Sequence, residues 1–222
     1  MSAYADTRAR VEDYFDRTAT EVWEKLTSDA PVSRIRATVR AGRDRMRAMM
    51  LGRLPADLTG ARVLDAGCGA GQMTAALAAR GAEVTAVDIS PALIDIAARR
   101  LPEAHRGRVR FCAGDMLAED LGSFDHVLAM DSLIYYTAAD IGGALDRLGA
   151  RTRGGIVFTV APRTPLLMAF WTLGRAFPRA DRSPTMIPHA LAPLQATSRA
   201  PVARIGRVNS GFYISECMEA RP

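Results

Sequence analysis

Three carboxylates stand where short apolar runs of the sequence end, and these residues are well placed to bind a polar ligand. Asp65 comes at the end of the first run, Asp88 ends the second, and Asp115 follows the third. A carboxylate can face an ammonium group, and it can accept hydrogen bonds from the hydroxyls of a ribose or from an adenine amino group. We therefore expect the three side chains to contact different polar groups of one ligand.

A glycine-rich loop directly follows the first of these acids. Gly67, Gly69 and Gly71 read G-x-G-x-G, whereas a dinucleotide-binding loop typically reads G-x-G-x-x-G. Glycines let the backbone turn sharply and approach a ligand closely, and a following helix directs free N–H groups at the same place. Loop and acids together favour S-adenosylmethionine over NAD and predict a class I methyltransferase. The predicted donor-binding residues are Asp65, Gly67, Cys68, Gly69, Gly71, Gln72, Asp88, Ile89, Gly114, Asp115, Met116 and Met130.

Apolar runs and helical segments alternate beyond residue 60, which predicts a parallel sheet. The predicted strands span residues 61–66, 83–88, 109–113, 124–130 and 156–160. Predicted helices include 75–79, 138–148 and 189–196, and residues 201–207 and 212–218 predict a terminal hairpin turning at 209–211. A final antiparallel hairpin is typical of methyltransferases. We expect a Rossmann-like α/β fold with a seven-stranded, mostly parallel sheet.

Two further segments are predicted to cover the core domain, which we place at residues 55–222. Residues 1–54 predict a helical extension or lid, and residues 163–198 predict a cap or substrate-binding insertion. A helix over 34–51 carries a stripe of arginines that is either a solvated basic face or a set of carboxylate-binding forks: Arg36, Arg40, Arg43 and Arg47. The apolar residues at 165–177 fit a core helix, a lid over a flat apolar acceptor, or a membrane-surface patch.

The composition is that of a globular protein with a basic surface. The chain has 222 residues, 49% of them hydrophobic, and a net charge of +5 carried almost entirely by arginine. We see no apolar run long enough to span a bilayer and no export signal. The three cysteines lack metal-ligand spacing, so we expect reduced thiols and no protein-bound metal. The arginines are spread along the chain without an RNA-binding module, which argues against nucleic acid as a partner.

The residues predicted near the transferred methyl group favour an acceptor that is already ionised. His105, His126 and His189 are the three histidines, and none lies where we expect methyl transfer. An amine or a phenol would need a general base, whereas a carboxylate with a pKa near ~4 needs none at neutral pH. Tyr135 and Tyr136 follow the fourth predicted strand, where they either orient an acceptor oxygen or simply pack.

Short stretches spread over nearly the whole chain form a recognisable set: VEDYF at 11–15, VSRIR at 32–36, VRAGR at 39–43, LDAGCG at 64–69, DSLIYY at 131–136, APRT at 161–164, FP at 177–178, RSP at 182–184 and FYIS at 212–215. In these stretches the chain resembles the magnesium-protoporphyrin IX O-methyltransferases of bacteriochlorophyll biosynthesis. The specific part of the resemblance lies in the N-terminal extension and in the segment from Ala161 to Pro184, since the donor loop is generic to class I enzymes.

The resemblance implies that the chain uses S-adenosylmethionine to esterify one propionate of a magnesium porphyrin. Similar oxygenic enzymes carry histidine at the position of Tyr135 and a tyrosine near Thr27, so those roles do not carry over, and Tyr135 is predicted to replace the histidine as a hydrogen-bond donor. The predicted substrate-binding residues are Tyr14, Trp23, Arg36, Arg40, Tyr136, Arg163 and Trp171.

The reduced cysteines and the lack of an export signal predict a cytoplasmic location. The resemblance also implies contact with the porphyrin-binding subunit of magnesium chelatase and peripheral attachment to the inner or photosynthetic membrane. Two alternatives stay open from the residues alone. One is a methyltransferase for another amphiphile, such as a quinone precursor. The other is a protein that binds porphyrin or donor without catalysis.

Overall fold

The chain folds into an α/β domain built on one mixed sheet. The computed structural model describes residues 3–16, 34–165, 167–169, 172 and 184–222. Within these residues the helices are α1 (Ala3–Tyr14), α2 (Arg34–Leu51), α3 (Gln72–Ala79), α4 (Pro91–Arg100), α5 (Ala138–Gly149) and α6 (Leu191–Thr197). The strands are β1 (Arg62–Ala66), β2 (Glu83–Asp88), β3 (Val109–Ala113), β4 (His126–Ala129), β5 (Ile156–Pro162), β6 (Pro188–His189), β7 (Val202–Ser210) and β8 (Tyr213–Ala220).

The strand order is β3-β2-β1-β4-β5-β8-β7, with β6 paired to the end of β5. β1 to β5 are parallel, and β8 runs antiparallel to both β5 and β7. The strand order therefore reverses between β1 and β4, and ligands bind at the carboxyl ends of strands beside such a reversal.

The sheet is buried on both faces, as a parallel sheet requires. Successive residues of β1 point to opposite sides, so Leu64 packs into one apolar cluster and Val63 into the other. The first cluster includes the apolar side of α5, and the second includes Met46 and Met50 of α2 together with α3. Both clusters hold the carboxyl edge of the sheet in place.

The predicted boundaries agree with the structure for β2, β3 and α2 and differ elsewhere for local reasons. β4 is shorter than residues 124–130 because Phe124 forms only an isolated bridge with Thr152. α3 begins at Gln72, three residues before the predicted start, because the left-handed Gly71 already caps it. The hairpin turns at Gly211 and Phe212, so β7 continues through Ser210.

The predicted helix at residues 189–196 starts too early. His189 belongs to β6, where it pairs with Pro162, and its ring Nε2 lies 2.9 Å from the carbonyl oxygen of Tyr136. α6 begins only at Leu191. A long-range strand pairing has overridden a local helical preference.

Candidate active site

The carboxyl ends of β1, β2, β3 and β4 surround a cleft that encloses ≈ 990 Å³ of empty space, part of it open to solvent. Every predicted donor-binding residue except Gly71 lines this cleft. Gly71 instead lies against α4, where an added Cβ would stand 2.9 Å from the Cβ of Ala97. Its glycine is needed for helix packing rather than for space in front of a ligand.

The glycine loop brings bare backbone to the wall of the cleft. Gly69 has a φ of 53° and Gly114 a φ of 142°, and a Cβ added at either would meet no atom within 4 Å. The Gly69 N–H donates to Asp88 Oδ2 at 2.8 Å, which fixes the loop against β2. The open space before these two glycines fits a ligand that approaches the main chain closely, as predicted for S-adenosylmethionine.

Asp65 is the most deeply buried acid of the cleft. Its exposed fraction is 1%, and its Oδ2 accepts a hydrogen bond of 2.5 Å from the Thr74 hydroxyl. Burial raises the pKa of Asp65 to about 7, the nearby Asp88 adds to the rise, and the Thr74 hydrogen bond opposes it. A cationic ligand group would favour the charged form of this carboxylate, which suits the predicted contact with an ammonium group.

Asp88 is held by the backbone on both of its oxygens. Oδ2 accepts from Gly69 N–H, and Oδ1 accepts from Ser90 N–H at 3.0 Å. Burial raises the pKa of Asp88, and these two hydrogen bonds act in the opposite direction. A carboxylate fixed in this way at the end of β2 keeps further lone pairs for the hydroxyls of a ribose.

Asp115 is covered by α1 of the predicted N-terminal extension, and the sequence alone does not predict this contact. Its carboxylate accepts from the Tyr4 hydroxyl at 2.9 Å, from Arg8 Nη1 at 2.9 Å and from Leu117 N–H at 2.9 Å. Tyr4 and Arg8 line the cleft together with Val11 and Phe15, so α1 forms one of its walls. The predicted adenine-binding acid is therefore linked to α1.

Tyr135 and Tyr136 both line the cleft and pack against the same helix. The Tyr136 ring stacks on Tyr4 at 4.9 Å between centroids, and the Tyr135 ring lies edge-on to Phe15 at 6.4 Å. Burial raises the pKa of Tyr135 above its usual range, with Asp131 adding to the rise, and burial raises the pKa of Tyr136 to about 12. Both hydroxyls stay protonated at neutral pH and can donate hydrogen bonds.

Asp131, directly after β4, is the centre of a second polar cluster at the cleft. It forms an ion pair with Arg43 of α2 and accepts from the Tyr213 hydroxyl at 3.0 Å and from Thr159 Oγ1 at 3.2 Å. In the described part of the chain, Asp131 is the one residue other than glycine that has a positive φ, and its φ is 58°. Backbone strain of this kind occurs mainly at functional sites. An aspartate directly after a strand is the sequence signal for this site, although the sequence alone predicts no role for Asp131.

The predicted substrate-binding residues are only partly brought together. Tyr136 lines the cleft, whereas Tyr14, Arg36, Arg40 and Arg163 lie outside its lining. Tyr14 is half-buried against Phe15, and Arg36 and Arg163 are exposed. The part of the arginine stripe that reaches the cleft is Arg43 and Arg47. Trp23 and Trp171 lie outside the described residues.

Metal-ligand clusters and membrane-spanning helices are both absent from the described part of the chain. Over residues 3–16, 34–165, 167–169, 172 and 184–222, no three histidine, cysteine or acidic side chains are grouped so that they could hold a metal ion. The same described residues contain no helix with the length and apolar character needed to cross a membrane.

Known proteins of similar sequence decide the family. The chain is 63% identical to the magnesium-protoporphyrin O-methyltransferase of Rhodobacter capsulatus over 222 residues, which is 100% of this chain and 99% of the relative. The chain belongs to the magnesium-protoporphyrin O-methyltransferase family. A family model described as "Magnesium-protoporphyrin IX methyltransferase C-terminus" matches residues 129–222, and one described as "Methyltransferase domain" matches residues 63–155.

Structural similarity to a member of this family covers nearly the whole chain. The crystal structure of magnesium protoporphyrin IX methyltransferase from Synechocystis PCC 6803, with bound SAH, has a TM-score of 0.81 and 27% identity, covering 96% of this chain and 99% of that one. A ubiquinone biosynthesis O-methyltransferase of Methylocella silvestris is 36% identical over only 55% of this chain and 48% of its own length. The similarity to the Synechocystis structure confirms the predicted Rossmann-like methyltransferase fold.

Proposed function

We propose that this protein transfers the methyl group of S-adenosylmethionine to one propionate carboxylate of magnesium-protoporphyrin IX. The products are the monomethyl ester and S-adenosylhomocysteine, and the step belongs to chlorophyll and bacteriochlorophyll biosynthesis. The observation that carries the proposal is the 63% identity to the Rhodobacter capsulatus relative over the full chain. Membership of this family confirms the enzyme class and the methyl donor that the sequence predicts.

The donor side of the cleft is suited to S-adenosylmethionine by the chemistry of its acids. Asp65 would face the ammonium group, Asp88 would accept from the ribose hydroxyls, and Asp115 would accept from the adenine amino group. The open space before Gly69 and Gly114 leaves room for close main-chain contact. When bound, the donor supplies a methyl group on a sulfonium, whose carbon–sulfur bond breaks as an acceptor oxygen attacks, and the bonding pair stays on sulfur.

The acceptor side of the cleft needs to position a carboxylate rather than deprotonate it. A propionate is ionised at neutral pH, so no proton has to move before attack. Asp131 is a poor general base here because Arg43, Tyr213 and Thr159 already bind its carboxylate. Tyr135 and Tyr136 stay protonated and can donate hydrogen bonds to an acceptor oxygen. Orientation of this kind can supply much of the acceleration of a displacement reaction.

A mass-spectrometric assay of the purified protein tests the function directly. S-adenosylmethionine is supplied with magnesium protoporphyrin or with a quinol, and Asp88→Ala serves as a variant with an impaired donor site. We expect the porphyrin to gain one CH₂ group, and we expect this product to fall strongly in the variant. Methylation of the quinol in preference to the porphyrin would refute the proposed substrate. Porphyrin binding with no product at saturating donor would indicate the non-catalytic alternative.

Several finer predictions stay proposals, the first two from the resemblance and the lid and cap roles from the sequence pattern. They are the contact with the porphyrin-binding subunit of magnesium chelatase, the peripheral attachment to the inner or photosynthetic membrane, and the lid and cap roles of residues 1–54 and 163–198. The basic composition is compatible with an anionic partner or surface. Co-purification with the chelatase subunit and sedimentation with anionic vesicles would test the first two separately.

A further inference from the structure

Two arginines of α2, one helical turn apart, reach the cleft beside Asp131. Arg43 and Arg47 both line it, whereas Arg45 between them is exposed to solvent. Arg47 is paired to Asp44, whose side chain is 50% exposed, in an i,i+3 arrangement on the helix surface. Such pairs contribute little to stability, so a carboxylate of a ligand can replace Asp44 at low cost.

Arg43 is held in place by a network that ends in the terminal hairpin. Asp131 binds its Nη1, and the Tyr213 hydroxyl of β8 bonds to both oxygens of Asp131, at 3.0 and 3.3 Å. The Asp131 N–H in turn donates to Thr159 Oγ1 at 2.8 Å. A guanidinium carries five N–H donors in a fixed plane, so more than one carboxylate can bind Arg43 at once.

The helix that carries both arginines is itself docked tightly on this hairpin. A Cβ added at Gly42 would stand 2.7 Å from Cδ1 of Tyr213, and Ser210 Oγ donates to the carbonyl oxygen of Thr38 at 2.8 Å. This close approach fixes the height and rotation of α2 over the cleft. The helix backbone that carries both arginines is therefore held at a fixed position over the cleft, and Arg43 is bonded to Asp131 directly after β4.

We propose that Arg43 and Arg47 bind the propionate of the acceptor that is not methylated, and that Tyr213 is a positioning residue acting through Asp131. The inference rests on the proposed function, since the porphyrin acceptor carries two propionates. Bidentate binding to arginine draws charge from a carboxylate, which would weaken the reacting propionate as a nucleophile but anchors the other one well. For a second methylation, the remaining propionate would have to face the donor, and the uncharged ester would then lie against the arginines. Because an ester binds arginine weakly, methylation stops after one propionate.

Binding measurements on the full chain saturated with S-adenosylhomocysteine test this without requiring turnover. The ligands are magnesium protoporphyrin and its dimethyl ester, and their binding is measured by fluorescence quenching. We expect Arg47→Gln and Arg43→Gln to bind the diacid about 10- to 100-fold more weakly, the loss typical of a charge-assisted hydrogen bond, with little change for the dimethyl ester. Tyr213→Phe should weaken diacid binding about fivefold in the same selective manner. Arg45→Gln, an exposed arginine of the same helix, is the matched control.

Different results would overturn the proposed role of the arginines and the proposed function. Equal loss of diacid and diester binding in the variants, or no loss at all, would overturn the role of the arginines, whatever the enzyme methylates. Arg43→Gln leaves Asp131 buried without its cation and can destabilise the fold, so Arg47→Gln decides if that variant does not fold. In turnover, the wild type should strongly prefer the diacid to the monomethyl ester, and Arg47→Gln should lose that preference. A wild type without any methylated porphyrin would instead overturn the proposed function.

Discussion

At the scale of single residues, the donor end of the cleft holds two carboxylates, Asp65 and Asp88, whose burial disfavours the charged form. Asp65 shows this most clearly, since burial raises its pKa to about 7 while Thr74 is its hydrogen-bond donor. A folded-state pKa above the ordinary value means that the folded protein holds the proton more tightly than the unfolded chain. The contribution of Asp65 to stability is therefore full below about pH 4 and is lost as the pH rises through 7.

Asp65→Asn should increase stability at high pH and weaken donor binding. We expect the ligand-free variant to be more stable than the wild type at pH 8 and nearly equal at pH 4, because the amide carries no charge to bury and still accepts from Thr74. Donor affinity of the wild type should rise as the pH increases through about 7, whereas the variant should bind weakly and without that rise. Thermal unfolding and calorimetric titration with S-adenosylhomocysteine measure both effects. A donor affinity in the variant equal to that of the wild type would exclude an ammonium contact at Asp65.

Asp88→Ala should weaken donor binding by roughly 1–3 kcal/mol, because ligand hydroxyls would lose their charged acceptor. The change also removes the acceptor of the Gly69 N–H, so the loop loses a constraint at the same time. Glu83→Ala, at the exposed amino end of the same strand, is the matched control and should leave the affinity unchanged. Calorimetry that finds the two variants alike would place the ribose elsewhere.

At the scale of elements, the acids at the strand ends could be predicted from the sequence, whereas side-chain contacts between elements distant in the sequence could not. Asp65, Asp88 and Asp115 could be found because each lies at or just after the end of a short, mostly apolar run, and parallel strands bring such ends to one edge. Arg43 was one of four arginines in a stripe, and only the docking of α2 on the hairpin decides which of them reach the cleft. The Tyr4 and Arg8 bonds to Asp115 likewise join residues more than 100 positions apart.

The space around two helical glycines predicts opposite effects of their substitution by alanine. Gly42→Ala should destabilise the fold by about 1–3 kcal/mol, because its Cβ would meet Tyr213 and Ser210 within 3 Å. Gly143→Ala in α5 should stabilise it by about 0.5–1 kcal/mol, since nothing lies within 4 Å of the added Cβ and alanine favours a helix. Chemical denaturation measures both changes. Stabilisation by Gly42→Ala would mean that α2 does not approach the hairpin so closely.

At the scale of the whole molecule, the N-terminal helix belongs to the cleft more than to the core of the sheet. Tyr4 stacks on Tyr136, Arg8 pairs with Asp115, and Phe15 packs beside Ala70 and α4. Each of these contacts lies at the cleft wall or next to it. The predicted lid role of the extension therefore implies that α1 controls how long a donor stays bound, while β1 to β8 carry the stability of the domain.

Removal of residues 1–16 should consequently change ligand kinetics more than folding. We expect the shortened chain to unfold cooperatively with only a small decrease in melting temperature, and to release S-adenosylhomocysteine markedly faster, because the wall that holds Asp115 and Tyr136 is gone. Stopped-flow dissociation and thermal unfolding measure the two quantities. The full-length variant with Tyr4→Phe and Arg8→Gln, which keeps the helix but loses its bonds to Asp115, should show an intermediate rate. Unchanged dissociation in both proteins would show that α1 does not retain the donor, and loss of cooperative unfolding on truncation would make α1 part of the core.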